Sequence, residues 1–552
     1  MMSRACRQSI APAAVLLCGL ALCVSAPLRA QGPLRLDGGG ALEVGGEAER
    51  YLRALQLAGV AAPQSWTIRP VAPRWLRGAI ADSVHPWQSR WVTDTTRSFI
   101  RARFLRPSVR VTWNSAVPSG DERGPVWTGR GVTADARFGF SAQLWRVHLQ
   151  VAPVLFRAQN QAFALAPNGR RENGAFADPR FPWNIDAPQA FGVGAYQRID
   201  AGNSTLSLDL PLLSVGLSTA AQSWGPGREY PLLLGGNAGG FPHVFLGTPS
   251  PVPVGIGAVH LRVIGGQLTQ SAWSPMPADQ AIRTATAGVF VFLPRGLTGL
   301  EVGASRFIHG ISERTWPGTS AFRRLVSGGL SGTGELNQRL ENQMASLFFR
   351  WQFSGARLVL FGEMFRDDYS LDRRRLIQYP DDLRTSMLGL ERVLSSSATH
   401  LHTLHAELVN GELPSSNRGE RGSGAERGFL SPLPPYLHGA VRQGHTQNGL
   451  ILASPVAYGG AGWRVGFDRF TTRGRRSLLA ERMMRLDWRA DVRGDSLVRR
   501  DIRYAVTGEM LQFVGGREVS GTVSAMMDLN RNLVPGNDVF NLRAAVSVRG
   551  WR

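Results

Sequence analysis

From about Leu105 onward the chain alternates apolar and polar residues with a period of two, and the links between the alternating segments are short and long by turns. Leu347, Phe349, Trp351 and Phe353 interleave with Ser346, Phe348, Arg350 and Gln352, which gives one face suited to lipid and one suited to a lumen. A turn at Ser354-Gly355 returns the chain as Arg357 to Phe365. A two-residue turn there would pair Trp351 with Leu358 and Ser346 with Glu363. Strand 284 to 293 joins strand 297 to 307 through Pro294-Arg295-Gly296, and the next link runs from about Ile308 to Gln343. The short turn at Ser354 is followed by a long link from Arg366 to Arg384, a short one at Ser395-Ser396-Ser397, and a long one from Asn410 to Tyr436. A soluble sandwich gives no such alternation. Transmembrane barrels do, with short periplasmic turns and long extracellular loops. The expected fold is therefore all-β, a transmembrane antiparallel barrel whose roughly 16 to 20 strands follow from about 25 residues per strand with its share of loop.

The ends of the chain fit that class. Arg4 and Arg7 precede an apolar run from Ile10 to Val24, and Ala30 closes the segment, so residues 1–30 read as a cleaved export signal with the cut before Gln31. Cys6, Cys18 and Cys23 all lie inside it, so the mature chain is expected to have no disulfide, thiol chemistry or lipid anchor. Residues 31–98 read as a small helical and irregular periplasmic module. Its helix, from Glu47 to Ala58, places Leu52 and Leu55 on one face and stops at Gly59. Trp66, Trp75, Trp87 and Trp91 among prolines need an apolar partner, which the mouth of the barrel would supply. Residues 99–552 form the barrel, with a loop near 220–242 expected to fold inward. The last strand, Phe540, Leu542, Ala544, Val546 and Val548 against Asn541, Arg543, Ser547 and Arg549, runs almost to the C-terminus, although the chain ends on Trp551-Arg552 rather than on an aromatic residue.

No stretch of about 18 apolar residues follows residue 30, which excludes a helical membrane protein. The net charge is +21, and it becomes +18 once Arg4, Arg7 and Arg29 are removed with the signal. All 62 basic residues are arginines, which suits bidentate binding of carboxylate or phosphate and equally suits a codon-biased genome. Catalytic signatures are absent: there is no G-x-S-x-G, no H-E-x-x-H and no P-loop, so no enzyme is expected, no catalytic residue is assigned and no cofactor is implied. His400 and His402 share a strand face while His405 points away, so no metal site is assigned. Arg350, Glu363 and Glu407 read as lumen wall, either as a mutually neutralising network or as ligand contacts.

The segment Gln222 to His243 is the most distinctive. It carries Trp224-Gly225-Pro226-Gly227-Arg228, then Asn237-Ala238 and Phe241-Pro242-His243, and in that order it resembles the Wzi family of outer-membrane capsule-assembly proteins. Further stretches fall in the family's order: Tyr51-Leu52-Arg53, Trp127-Thr128-Gly129-Arg130-Gly131, Gly202-Asn203-Ser204, Glu341-Asn342-Gln343, Phe361-Gly362-Glu363, Arg366-Asp367-Asp368, Tyr436-Leu437-His438 and Gly444-His445-Thr446. Val359 stands where the family leads one to expect an acidic residue, which would remove one lumen contact.

The resemblance implies a barrel of about 18 strands with a periplasmic helical module and a largely blocked lumen. It further implies a surface lectin that attaches capsular or other extracellular polysaccharide to the cell and supports capsule assembly. Candidate polysaccharide contacts are Trp224, Arg228, His243, Arg350, Glu363, Arg366, Asp367, Trp316 and Tyr369. Arginine donors would meet acidic sugars, and Trp316 and Tyr369 would stack on pyranose faces, while Asp367, Asp368, Asp372, Asp381 and Asp382 make the surface mixed. The loop around Trp224 reads either as a structural plug or as a binding element. Expected partners are acidic polysaccharide, outer-membrane lipid and lipopolysaccharide, and the barrel-assembly machinery during biogenesis. No nucleic acid is expected, and the protein is expected to be a monomer of the outer membrane. The competing reading is a diffusion porin for small solutes, which predicts a continuous water path.

Overall fold

The computed structural model describes residues 34–35, 42–71, 84–88, 91–92, 99–120, 124–311, 316–327, 341–367, 377, 380, 384–412, 433–485 and 500–550. The export segment 1–30, Trp75, Tyr369, the acidic residues Asp368, Asp372, Asp381 and Asp382, and the terminal Trp551-Arg552 lie outside these residues. The fold is all-β, and no described helix is long and apolar enough to cross a membrane.

Among the described residues, 23 strand segments pair antiparallel into one closed ring. Five pairs of consecutive segments are the halves of kinked staves, the first being Ile100–Phe104 with Ser108–Asn114, which leaves 18 staves. Closure is made by the C-terminal strand Val539–Arg549, which pairs with Arg517–Leu529 on one side and with Ser108–Asn114 on the other. Closing the sheet removes the unpaired edges that an open sheet of this size would present.

Side chains sort by parity along each stave. In Glu341–Phe353, Leu347 and Phe349 are 57% and 37% exposed on the outside, while Ser346, Phe348 and Arg350 are buried toward the inside. A soluble sheet would cover such a belt of large apolar residues, whereas a hydrocarbon surround accepts it.

The turn after this strand differs from the two-residue expectation. Ser354 to Arg357 all lie in the turn, so Trp351 pairs with Leu360, Phe348 with Glu363, and Ser346 with Phe365. The shift is two residues, one full pleat repeat, so every side chain keeps its face and the inside and outside sets are unchanged.

Connections also sort by end. Residues 145–146, 210–213, 254–256, 295–299, 354–357, 397–399, 472–473 and 515–516 are tight links at one end of the ring. The other end carries the long ones, including 159–195, 219–242, 270–281, 311–340 and 411–460.

The lumen is a packed core. The helix Glu47–Leu57 stands inside it near the short-turn end, with Glu49, Arg50, Arg53 and Gln56 as buried as Leu52 and Leu55. The sequence reading placed only Leu52 and Leu55 on one face of this helix. The charged face is enclosed as well, because inward carboxylate, guanidinium and amide groups of the wall partner it. Arg50 meets Glu509 at 3.0 Å, Glu47 meets Arg475 at 2.7 Å, and Gln56 donates to Gln352 at 3.0 Å. Below the helix, Trp87 stacks on Tyr51 with ring centroids 4.0 Å apart and donates from Nε1 to the Thr471 carbonyl at 2.9 Å.

Candidate functional site in the filled lumen and on its cap

Two chain segments meet at mid-lumen. One rises behind the helix and ends in the short strand Ile68–Arg69. The other descends from the long-connection end and forms Ser223–Trp224, and the two pair antiparallel with Ser223 opposite Arg69 and Trp224 opposite Ile68. Ala221 to Gly227 are all buried. Gly225 makes this close approach possible: its φ is +90°, and a β-carbon there would stand 2.8 Å from Glu363 Oε2.

Arg69 ties the junction together. It donates to Ser223 Oγ at 2.7 Å and to the Gly227 carbonyl at 2.5 Å, and pairs with Glu49 of the helix at 3.0 Å. Arg53 bridges the same Glu49 at 3.3 Å to Glu391 of the wall at 3.1 Å. Burial alone would raise the Glu49 carboxyl, yet Arg69 and Arg53 beside it bring it below the ordinary carboxylate range. Burial also opposes the charge on Arg53, but Glu391 and Glu49 outweigh it and raise that guanidinium. Nearby, Glu301 accepts from Ser65 at 2.6 Å and Thr67 at 2.9 Å and pairs with Arg350 at 2.9 Å.

The descending loop is held from the wall by Glu407, whose carboxylate accepts three successive backbone N–H groups, from Arg228, Glu229 and Tyr230, at 2.9, 3.0 and 3.0 Å. Unpaired buried amides are costly, so one wall carboxylate satisfies the turn and fixes its height.

A second layer lies above it. Tyr436 Oη donates to the Leu232 carbonyl at 2.9 Å and His445 Nε2 to the Leu233 carbonyl at 2.7 Å, so the segment 433–460 roofs the loop. Burial pushes His445 down to about 3, which keeps it neutral. The segment 159–195 forms the top. Asp186 accepts from Ser271 N at 2.6 Å, its own N–H donates to the Gln443 carbonyl at 3.0 Å, and Phe181 packs on Tyr458. Asp178 accepts from the Arg180 and Phe181 amides, and burial raises its carboxyl to about 6.

The sequence-derived candidates divide into two groups. Trp224, Arg228, His243, Arg350, Glu363 and Asp367 all lie in the filled interior, with partners of their own rather than in one cluster, and Trp224 is 0% and His243 1% exposed. Arg228 lies 3.2 Å from Glu229 and 3.8 Å from Asp468, and Asp367 accepts from the Tyr436 amide. Arg366 has the opposite parity to Phe365 and Asp367 and faces out of the ring. Trp316 is 40% exposed outside the lumen, and Tyr369 lies outside the described residues. His405 is buried inside near Asp468 and Glu229, whereas His400 and His402 face outward with their rings 5.0 Å apart, and no metal-binding cluster occurs among the described residues.

One surface pair escaped the sequence reading. Trp183, 55% exposed on the cap, has the Arg170 guanidinium 4.3 Å from its ring centroid, with Arg171 exposed beside it. The Phe181-Pro182-Trp183 step, an aromatic-rich corner in a long connection, was the available signal.

No family model matches the chain, and no curated protein matches it either. Among solved structures, it is similar to Wzi of Escherichia coli, described as an outer-membrane protein involved in group 1 capsule assembly and a carbohydrate-binding β-barrel. That match has a TM-score of 0.58 and 14% identity, and it covers 92% of this chain and 99% of that one. The fold is shared with Wzi. OccK2 (OpdF) of Pseudomonas aeruginosa matches at a TM-score of 0.39 and 9% identity, over 82% of this chain and 96% of that one. OccAB3 of Acinetobacter baumannii matches at 0.39 and 9%, over 81% and 98%.

Proposed function

We propose that this protein is an outer-membrane surface lectin that holds capsular or other acidic extracellular polysaccharide on the cell and supports capsule assembly. The observation that carries this reading is the filling of the lumen from both ends, with Ser223–Trp224 paired to Ile68–Arg69 at its middle. A barrel so filled acts through its surface rather than through a pore. The fold shared with Wzi, itself a carbohydrate-binding barrel, supports the same direction.

In this reading the short turns and the helix face the periplasm, and the long connections face outward. The interior residues Trp224, Arg228, His243, Arg350 and Glu363 position the loops and do not touch glycan. Sugar contact falls to the cap, where Trp183 offers a stacking face and Arg170 and Arg171 offer donors to carboxylate. No enzymatic step is assigned. Export through a cleaved signal at residues 1–30 and barrel assembly as a monomer belong to the same proposal.

The test is a pull-down of purified barrel with an acidic and a neutral capsular polysaccharide across a salt series. Acidic polymer should be retained, and retention should fall as the Debye length drops below about 8 Å near physiological salt. Trp183→Ala and Arg170→Ala should weaken it with heat-modifiable gel mobility intact. Retention of neither polymer would overturn the lectin reading.

A further inference from the structure

The outer wall carries a covered patch. Gly265, Thr286, Ile308 and Gln343 are register partners across four neighbouring strands. They face outward, since Ile264, Ala287, Phe307 and Met344 fill the lumen. Yet Thr286, Ile308 and Gln343 are only 3%, 4% and 5% exposed. The helix Thr319–Ser327 packs here, against Ile282–Pro294 and Leu300–Gly310. Two glycines make its seat: a β-carbon at Gly265 would stand 2.5 Å from the Phe322 ring, and one at Gly288 would stand 3.5 Å from Leu325 Cδ1. Outward Arg306 donates to the Arg324 carbonyl at 3.1 Å and to Gln343, and Arg324 pairs with Glu341 at 2.8 Å. A guanidinium on a lipid-facing wall is thus met by carbonyls near the helix C-terminus, where the dipole favours a cation.

What the helix turns outward is both apolar and cationic. Val326 is 91% exposed, Trp316 is 40% exposed, and Arg323 shares the Val326 face at helical spacing. The next row of the wall runs Gly288, Arg306, Ala345, Arg366, Arg384, and Arg384 is exposed at the first position of its strand. Three arginines therefore share one row of this part of the outer wall, within a few residues of the long-connection end.

We infer that the helix Thr319–Ser327 lies in the headgroup zone of the outer leaflet, where Arg323 and Arg384 bind the phosphates of a phosphorylated glycolipid. Val326 and Trp316 enter the apolar boundary, and the two arginines meet the phosphates just above it. This rests on the membrane placement proposed above. The test separates the two. Val326→Cys and Leu347→Cys are made in full-length protein with Cys6, Cys18 and Cys23 replaced by Ala. Each is labelled with an environment-sensitive fluorophore and placed in vesicles of brominated-chain phosphatidylcholine containing lipid A. Both labels should be quenched. An unquenched Leu347 label would overturn the membrane placement itself, whereas quenching there without quenching at Val326 would overturn the interfacial helix alone. In parallel, protein extracted from phosphatidylcholine vesicles doped with bis-phosphorylated lipid A or its dephosphorylated form is weighed by native mass spectrometry. The phosphorylated form should be retained preferentially, and Arg323→Glu with Arg384→Glu should cut retention about tenfold or more. Arg323→Gln repeats the comparison should charge reversal disturb folding. Retention that ignores either the phosphates or the arginines would overturn the site.

Discussion

A β-carbon at Gly225 would stand 2.8 Å from the Glu363 carboxylate, so the loop descending into the lumen is seated against the wall by the absence of a side chain. With φ at +90°, Gly225→Ala is also strained in its backbone. We predict a loss of about 2 kcal/mol or more of plug stability. Thermal melting of the purified barrel and its heat-modifiable mobility check this, and an unchanged melt would mean the loop is not seated as described.

Glu49 of the helix pairs with Arg69 at 3.0 Å, Arg69 in turn holds Ser223 and Gly227 of the descending loop, and both charged residues are almost fully buried. Removing Glu49 strips buried Arg69 of its carboxylate, and removing Arg69 leaves Glu49 with Arg53 alone and takes the donor from Ser223 and the Gly227 carbonyl, so Glu49→Gln and Arg69→Met should each cost about 3 to 5 kcal/mol. The double variant should cost clearly less than their sum, as a double-mutant cycle on melting would show.

Much of this was legible in the sequence. Parity along Leu347 to Phe353 identified inside and outside, and the lengths of the links identified the two ends, because both follow from pleat geometry alone. The turn after Phe353 was read two residues too short, since Ser354-Gly355 looks like a complete turn and Arg357 takes an unexpected φ of +50°. The sequence marked only the Leu52 and Leu55 face of the helix, since the partners of its charged face, Glu391, Glu509 and Arg475, lie hundreds of residues away on the wall. Arg366 was grouped with Asp367, although neighbours in a strand face opposite ways. The Trp183 and Arg170 pair was missed because it depends on a long irregular connection folding back.

Asp178 gives the cap a pH dependence. Its carboxyl is raised in the folded state to about 6 from an ordinary 3.8, so the folded form holds its proton longer than the unfolded form does. The stability this adds is fully present below about 3.8 and is lost as pH rises through about 6. Hydrogen exchange of residues 159–195 should therefore quicken from pH 5 to pH 7.5 after correction for the intrinsic rate. Asp178→Asn, which keeps an acceptor for the Arg180 and Phe181 amides, should flatten that change.

Sidedness is checked on intact cells. Epitope tags inserted between the strands in 328–340, 368–383 and 413–432 should be labelled, and tags at Ser354-Gly355 should not. Labelling of the short turns would invert the orientation, and labelling of neither set would contradict the barrel in the membrane.

The central claim is that the lumen is filled by the pairing of Ser223–Trp224 with Ile68–Arg69, and planar-bilayer conductance tests it most directly. Purified protein should give no stable ohmic steps, and deletion of residues 221–241 should produce them. Steady conductance steps from the intact protein, selective for small ions, would contradict the account and favour a diffusion porin.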